Sequence, residues 1–181
     1  MKKILAIIGS AQENSSNFKL VQLLARHFTD AVAIEIFDDL KSLPHFDAVQ
    51  TLSKPPQPVQ EVRKKIEDAD AVLVSSPEYI FSIPSGLKNL MEWCVATTIF
   101  SDKPAAIIVA SADGRKSFED IKLIMKTLGA SFSDKTCLLI NGIKGKISDT
   151  GQIEPVTEEA LIQVVYHLRE LLLSCNVKRE K

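Results

Sequence analysis

The sequence predicts an α/β fold, a three-layer sandwich in which a five-stranded parallel sheet of order 2-1-3-4-5 carries helices on both faces. Three observations predict it. Short apolar runs, beginning with Ile4-Leu5-Ala6-Ile7-Ile8, are apolar at consecutive positions, as strands are when both faces of a parallel sheet are covered. Segments with apolar residues at helical spacing alternate with these runs, and crossover helices between buried strands imply parallel pairing. Polar loops follow the first, third and fourth runs, at the strand ends where open α/β sheets bind ligands.

Each element has its own justification. The run from Ile4 to Ile8 is strand 1, and it stops at Gly9-Ser10. Leu20, Leu23, Leu24 and Phe28 recur on one helical face. Val32 to Phe37 alternates as strand 2, and Asp38 to Pro58, with four prolines, reads as irregular. Val59, Val62 and Ile66 mark a helix, and Ala71 to Val74 is strand 3. A loop from Ser75 to Gly86 leads into a helix from Leu87 to Ala96. Pro104 to Ala110 is strand 4, followed by a loop from Ser111 to Lys116 and a helix from Phe118 to Leu128. Phe132 to Ile140 carries strand 5, and Asn141 to Glu154 is a turn region containing Gly and Lys. Thr157 is the expected N-cap of the last helix, whose buried face runs from Leu161 to Leu172.

Length and composition set the bounds. A chain of 181 residues fits one domain over 1–181 with a sizeable core. A net charge of −1 gives no electrostatic reason to expect nucleic acid or a membrane surface. No apolar run is long enough for a spanning helix, and strand 1 begins too early to leave room for a signal peptide. Cys94, Cys137 and Cys175 are widely spaced with no CxxC, which supports neither a metal site nor a dithiol. Buried, reduced thiols in a cytoplasmic protein are expected.

The order 2-1-3-4-5 is the flavodoxin-like pattern, with its ligand site at the switch point between strands 1 and 3. The loop after strand 1 holds Gly9, Ser10, Gln12, Ser15, Ser16 and Asn17 just before a helix start. Backbone N–H groups, hydroxyls and the helix dipole there suit a phosphate. The loop has neither the G-x-x-x-x-G-K-[ST] run of a nucleoside triphosphatase nor the G-x-G-x-x-G of a dinucleotide fold, so a mononucleotide, FMN, is expected. The plain alternative is a polar turn with Ser15 or Ser16 as N-cap. Pro77, Glu78, Tyr79, Ile80 and Phe81 offer a stiffened, flat apolar wall for an isoalloxazine ring. Ser111, Asp113, Gly114 and Arg115 are expected to cover the pyrimidine edge, where Arg115 or Lys116 would stabilise negative charge on the reduced ring.

Ser75-Ser76-Pro77-Glu78-Tyr79 through Pro84, then Leu87-Lys88-Asn89 and Trp93, resembles the T-P-E-Y-N-x-S-x-P-G-x-L-K-N-A-x-D-W signature of NADPH-dependent FMN reductases, a family that includes azo-, quinone- and chromate-reducing enzymes. Gly9-Ser10 with Ser15 and Asn17 is similar to its phosphate loop, G-S-x-R-x-x-S-x-N. The resemblance implies bound FMN and hydride transfer from NADPH or NADH to the flavin N5, with electrons passed on to a quinone, azo compound, flavin or metal-ion acceptor. It implies no catalytic protein residue, since the cofactor carries the chemistry. It also implies a homodimer or homotetramer, with the helix from Lys88 to Trp93 near the subunit contact. The alternative is a flavodoxin-like FMN-binding or electron-transfer module without NAD(P)H turnover of its own.

The chain departs from the family pattern. Gln12 stands where the family has Arg, and a charge-assisted hydrogen bond is worth roughly 1.5–3 kcal/mol, about 10- to 100-fold in affinity; Lys19 would compensate in part. Ile80 stands for Asn, Ser85-Gly86 for Gly-x, and Arg115-Lys116-Ser117 for paired glycines. Milder roles are expected elsewhere: His27, His45 and His167 on the surface, Glu78 bonded within its own loop, Trp93 in helix packing or at an interface, and Lys144 and Lys146 in a solvated turn, with contact to an NADPH phosphate as the alternative.

Overall fold

A computed structural model describes residues 1–28, 32–148 and 150–179. The sheet has five strands in the order β2-β1-β3-β4-β5: β1 (Lys2–Ile8), β2 (Val32–Phe37), β3 (Ala71–Ser76), β4 (Ala105–Ser111) and β5 (Cys137–Asn141). Every pairing is parallel, with Ile4 opposite Ile34 and Ala71, Val72 opposite Ala105, and Ile107 opposite Cys137. The chain leaves β1 toward β2 and returns on its other side as β3, so the switch point lies between β1 and β3.

Alternate residues of each strand serve opposite faces, and the core divides accordingly. Leu5, Ile7, Val72, Val74, Ile107 and Val109 pack under α3 (Gln57–Asp68), α4 (Ser85–Cys94) and α5 (Arg115–Thr127). Ile4, Ala6, Ile8, Leu73, Ile108 and Ala110 pack under α1 (Ser16–His27) and α6 (Pro155–Arg179). Both faces are covered, as continuous apolar strands require.

Several boundaries differ from those expected. The stretch from Asp38 to Pro58 is not structureless: it forms a 3₁₀ turn at Leu40–Ser42 and a short helix, α2 (Ala48–Leu52). It is fastened to α4, because Asn89 accepts from the Phe46 N–H and donates to the Pro44 carbonyl, and the Trp93 indole N–H donates to the same carbonyl. Trp93 is therefore fully buried against its own chain, edge-on to Phe46, and is not an interface anchor. β5 begins at Cys137 rather than Phe132, because Ser133 and Thr136 bond each other across a capped 3₁₀ turn. The last helix begins at Pro155, a residue pre-set for a first turn. Thr157 thus lies inside that turn, donating to Glu154, and does not cap it.

Cys94 is buried, which pushes its thiol up to about 12. Cys137 is only partly buried, short of the expectation, with its thiol raised to about 11. Cys175 lies outside the residues whose side chains are described. Of the histidines, His167 faces Glu170 at 3.1 Å and His27 lies edge-on to Phe28. Among the described residues no cluster of His, Cys, Asp and Glu could hold a metal ion, and no helix is long and apolar enough to cross a membrane.

Candidate active site

The site is built at the C-terminal ends of β1, β3, β4 and β5, and its first component is a close approach of backbones. The Gly9 N–H donates to the Ser75 carbonyl at 2.8 Å. A Cβ on Gly9 would meet Ser76 Oγ at 2.5 Å and Leu87 Cδ2 at 2.9 Å, so only glycine lets the two strand exits close on each other. Ser10 Oγ then accepts from the Gln12 N–H at 3.1 Å and lies 3.3 Å from the Tyr79 hydroxyl. Asn14, at φ 51°, turns the loop into α1, a conformation that asparagine tolerates better than most residues. Ser15, not Ser16, is the N-cap, accepting from the Phe18 N–H at 3.2 Å. That bond uses the oxygen as acceptor and leaves its O–H to donate, and the first-turn N–H groups of Ser16 and Asn17 have no partner within the helix.

Asn17, expected at the cofactor, lines the cavity described below and also joins three elements. It is 2% exposed; its amide nitrogen donates to the Ala110 carbonyl and its oxygen accepts from Ser75 Oγ, both at 3.0 Å. One side chain thus ties the start of α1 to the ends of β3 and β4. The same residue borders the cavity.

The second loop is stapled to α5. Glu78 accepts from the Ser117 N–H at 3.0 Å in the first turn of α5, where the helix dipole favours a carboxylate. Its partner therefore lies in α5 and not in its own loop. Ser117 Oγ returns a bond to the Pro77 carbonyl at 3.2 Å, and Ser82 Oγ donates to Asp120 at 2.8 Å. The loop tip is a tight turn closed by mutual backbone bonds between Tyr79 and Ser82. Its central residues Ile80 and Phe81 have φ of 51° and 55°, which turns both side chains outward, 96% and 73% exposed. They do not wall the main cavity. Ile80 instead borders a second, open groove of about 670 Å³ with Ile83, Lys88 and Leu123.

Ser10, Gln12, Ser15, Ser16, Asn17, Pro77, Glu78, Tyr79 and Ser111 line one cavity of about 510 Å³, a volume ordinary for a small-molecule site. Three loops far apart in sequence do converge. Gly9 lies just behind the lining. Asp113, Gly114 and Arg115 stand outside it, because α5 begins at Arg115, a turn earlier than its apolar spacing suggested. Gly114 turns the chain into that helix at φ 86°. Arg115 is paired with Asp113 at 2.7 Å, and that carboxylate raises the guanidinium's pKa.

A fourth wall escaped the sequence reading: Gly142, Ile143, Lys144 and Gly145 after β5, with Ala110 and Ala112 between. The signal was present in a lysine between glycines just beyond the fifth strand, but it read as a solvated turn. Lys146 remains one, paired with Glu154 at 2.9 Å.

The model of the family described as NADPH-dependent FMN reductase matches residues 2–142. The chain is 37% identical over 108 residues to the NADH:(hydroxy)cinnamate reductase subunit CrdA of Vibrio ruber, a match covering 59% of this chain and 52% of that protein. It thus spans about half the length of that relative. It is 29% identical over 181 residues to the NADPH:quinone oxidoreductase of Arabidopsis thaliana, covering 94% and 92% of the two chains. Among solved structures, the flavoenzyme NAD(P)H:(acceptor) oxidoreductase FerB from Paracoccus denitrificans superposes with a TM-score of 0.72 at 20% identity, over 95% of this chain and 96% of that one. That likeness concerns the fold.

Proposed function

The chain belongs to the NADPH-dependent FMN reductase family, and from that premise we propose that it is a single-domain FMN-dependent NAD(P)H oxidoreductase, cytoplasmic and homo-oligomeric. The observation that carries the reading is the convergence of the β1, β3 and β4 loops on one cavity at the start of α1. The residues present fit the cofactor. Gln12, Ser16 and the unpaired first-turn N–H groups of α1 offer donors to a phosphate. Pro77, Tyr79, Ala110, Ala112 and Ile143 offer apolar surface to a flat ring.

Bound FMN would supply the two-electron redox chemistry between NAD(P)H and a quinone, azo compound, flavin or metal-ion acceptor. The protein's own residues do the holding. Asn17 fixes the phosphate loop relative to β3 and β4. Glu78 and Ser117 hold the Pro77–Tyr79 wall against α5. The Ser10–Tyr79 contact sets the phenol at the cavity mouth, where it also borders the open groove and a smaller cleft beside Asp38 and Lys41.

The test is to purify the chain without added flavin, record its visible spectrum, and measure NADPH oxidation with a quinone before and after FMN is supplied. Flavin binding with quinone-dependent turnover is expected. A colourless protein that stays inactive with FMN overturns the proposal. The pairing of Arg115 with Asp113 favours a second reading, an electron-transfer module lacking its own NAD(P)H turnover. Under it, dithionite reduces the bound flavin rapidly and NADPH does not.

A further inference from the structure

We infer that Lys144, beyond the segment matched by the family model, is the cation that recognises the cofactor's phosphate monoester in this chain, in place of the arginine that Gln12 replaces. The inference rests on the FMN-binding reading above. A phosphate carries nearly two negative charges at neutral pH, and the loop after β1 supplies only dipoles and neutral donors. Lys19, the nearest cation in sequence, is exposed on α1 and is not among the cavity-lining residues.

Two charged side chains line the cavity, Glu78 and Lys144. Glu78 is committed to the start of α5. Among the described residues Lys144 makes no ion pair, whereas the neighbouring Lys146 is held by Glu154. The backbone brings Lys144 to this cavity. Asn17, in the first turn of α1, is bonded to the Ala110 carbonyl, and the Gly142 N–H donates to the Ala112 carbonyl at 3.0 Å. Gly142, at φ 63°, then opens the 3₁₀ turn Ile143–Lys146. Lys144 therefore lines the same cavity as Gln12, Ser15 and Ser16. A lysine on an exposed turn binds such an anion as a point charge.

Two phosphate monoesters are candidates, the 5′-phosphate of FMN and the 2′-phosphate of NADPH, and the position of Lys144 in the phosphate-loop cavity assigns it to the first. The experiment titrates apoprotein with FMN and with riboflavin by fluorescence quenching, for wild type, Lys144→Ala, Lys144→Arg and, as a charge-matched control, Lys19→Ala. Lys144→Ala is expected to weaken FMN about tenfold, the low end for a charge-assisted bond, to leave riboflavin unchanged, and to flatten the salt dependence of FMN binding. Lys144→Arg and Lys19→Ala are expected to stay near wild type, and Gln12→Arg is expected to restore FMN affinity to Lys144→Ala. Equal FMN affinities for wild type and Lys144→Ala overturn the inference while leaving the proposed function standing. So does a Lys144→Ala effect confined to the NADPH-over-NADH preference. If wild type binds neither flavin, the proposed function fails and this inference with it.

Discussion

Replacing Asn17 by alanine tests whether the site is held together by side chains that never touch a ligand. Asn17 is buried, and its amide makes two bonds of 3.0 Å, to the Ala110 carbonyl and from Ser75 Oγ. Each is worth about 0.5–1.5 kcal/mol net, and a buried group left unpaired costs about 1–3 kcal/mol. Ala110 sits at the end of β4 and Ser75 is fully buried, so water does not reach these groups freely. Among the described residues no buried side-chain polar atom lacks a partner, so the vacancy would stand out. Two groups left unpaired, the Ala110 carbonyl and the Ser75 hydroxyl, together cost about 2–6 kcal/mol. In a domain of this size that lowers the melting temperature by roughly 4–24 °C. Thermal melts of apoprotein, with no flavin present, measure it directly. Flavin affinity should fall as well, for FMN and riboflavin alike, since the loops and not the phosphate contact are disturbed. A melting temperature within about 2 °C of wild type, or a loss confined to FMN, would refute the argument and return Asn17 to a ligand-binding role.

Two further outcomes are expected. Ile80 is a β-branched residue at φ 51° with 96% of its surface exposed, so Ile80→Asn relieves about 1–2 kcal/mol of backbone strain at no loss of packing; a lower denaturation midpoint for the variant would contradict this. Lys3 and Lys65 both donate to Glu35, and the bond from Lys3, then that from Lys65, holds the carboxyl below its ordinary 4.5. Because the folded value is depressed, the stability it contributes is present above about pH 4.5 and is lost as pH falls through the folded value. The stability difference between wild type and Glu35→Gln should therefore shrink on acidification in denaturant titrations, and a pH-independent difference would defeat the assignment.

The fold was legible because the information that specifies it is local. Five apolar runs and the helical spacing between them fix which residues are covered, and that leaves few topologies. Loop and helix starts were less legible. The N-terminus of α5 is set by Gly114 in the left-handed region and by the Glu78–Ser117 bond, and the second of these depends on a residue 39 positions away. The expected pyrimidine-edge residues Asp113, Gly114 and Arg115 fell outside the cavity for that reason. Ile80 and Phe81 misled through composition, since apolar residues in a loop suggest a wall, while positive φ at both positions sends them outward. The turn at 142–145 read as solvated, with contact to a phosphate as the alternative, because its place depends on the bond from Gly142 to Ala112, which no short motif encodes.

A division of labour follows among the polar residues that drew attention in the sequence. Asn17 and Glu78 were expected as ligand contacts, yet both are bonded to another loop or a helix start, with Ser75 and Ser117 as partners. A motif that contains such residues reports how the loops are joined, and this chain matches it at Pro77-Glu78-Tyr79 and Leu87-Lys88-Asn89 while carrying Gln12 in the loop after β1. The Glu78 carboxylate accepts from the backbone N–H of Ser117 and Ser117 Oγ donates to the backbone carbonyl of Pro77, so each joint rests on one side chain and one main-chain group. A cation for a phosphate needs only to reach the same cavity, and β1 and β5 both deliver their loops to one rim of a parallel sheet. Affinity for the phosphate can therefore shift from one loop to another without disturbing the joints, and the constraint that remains is the cavity those joints define.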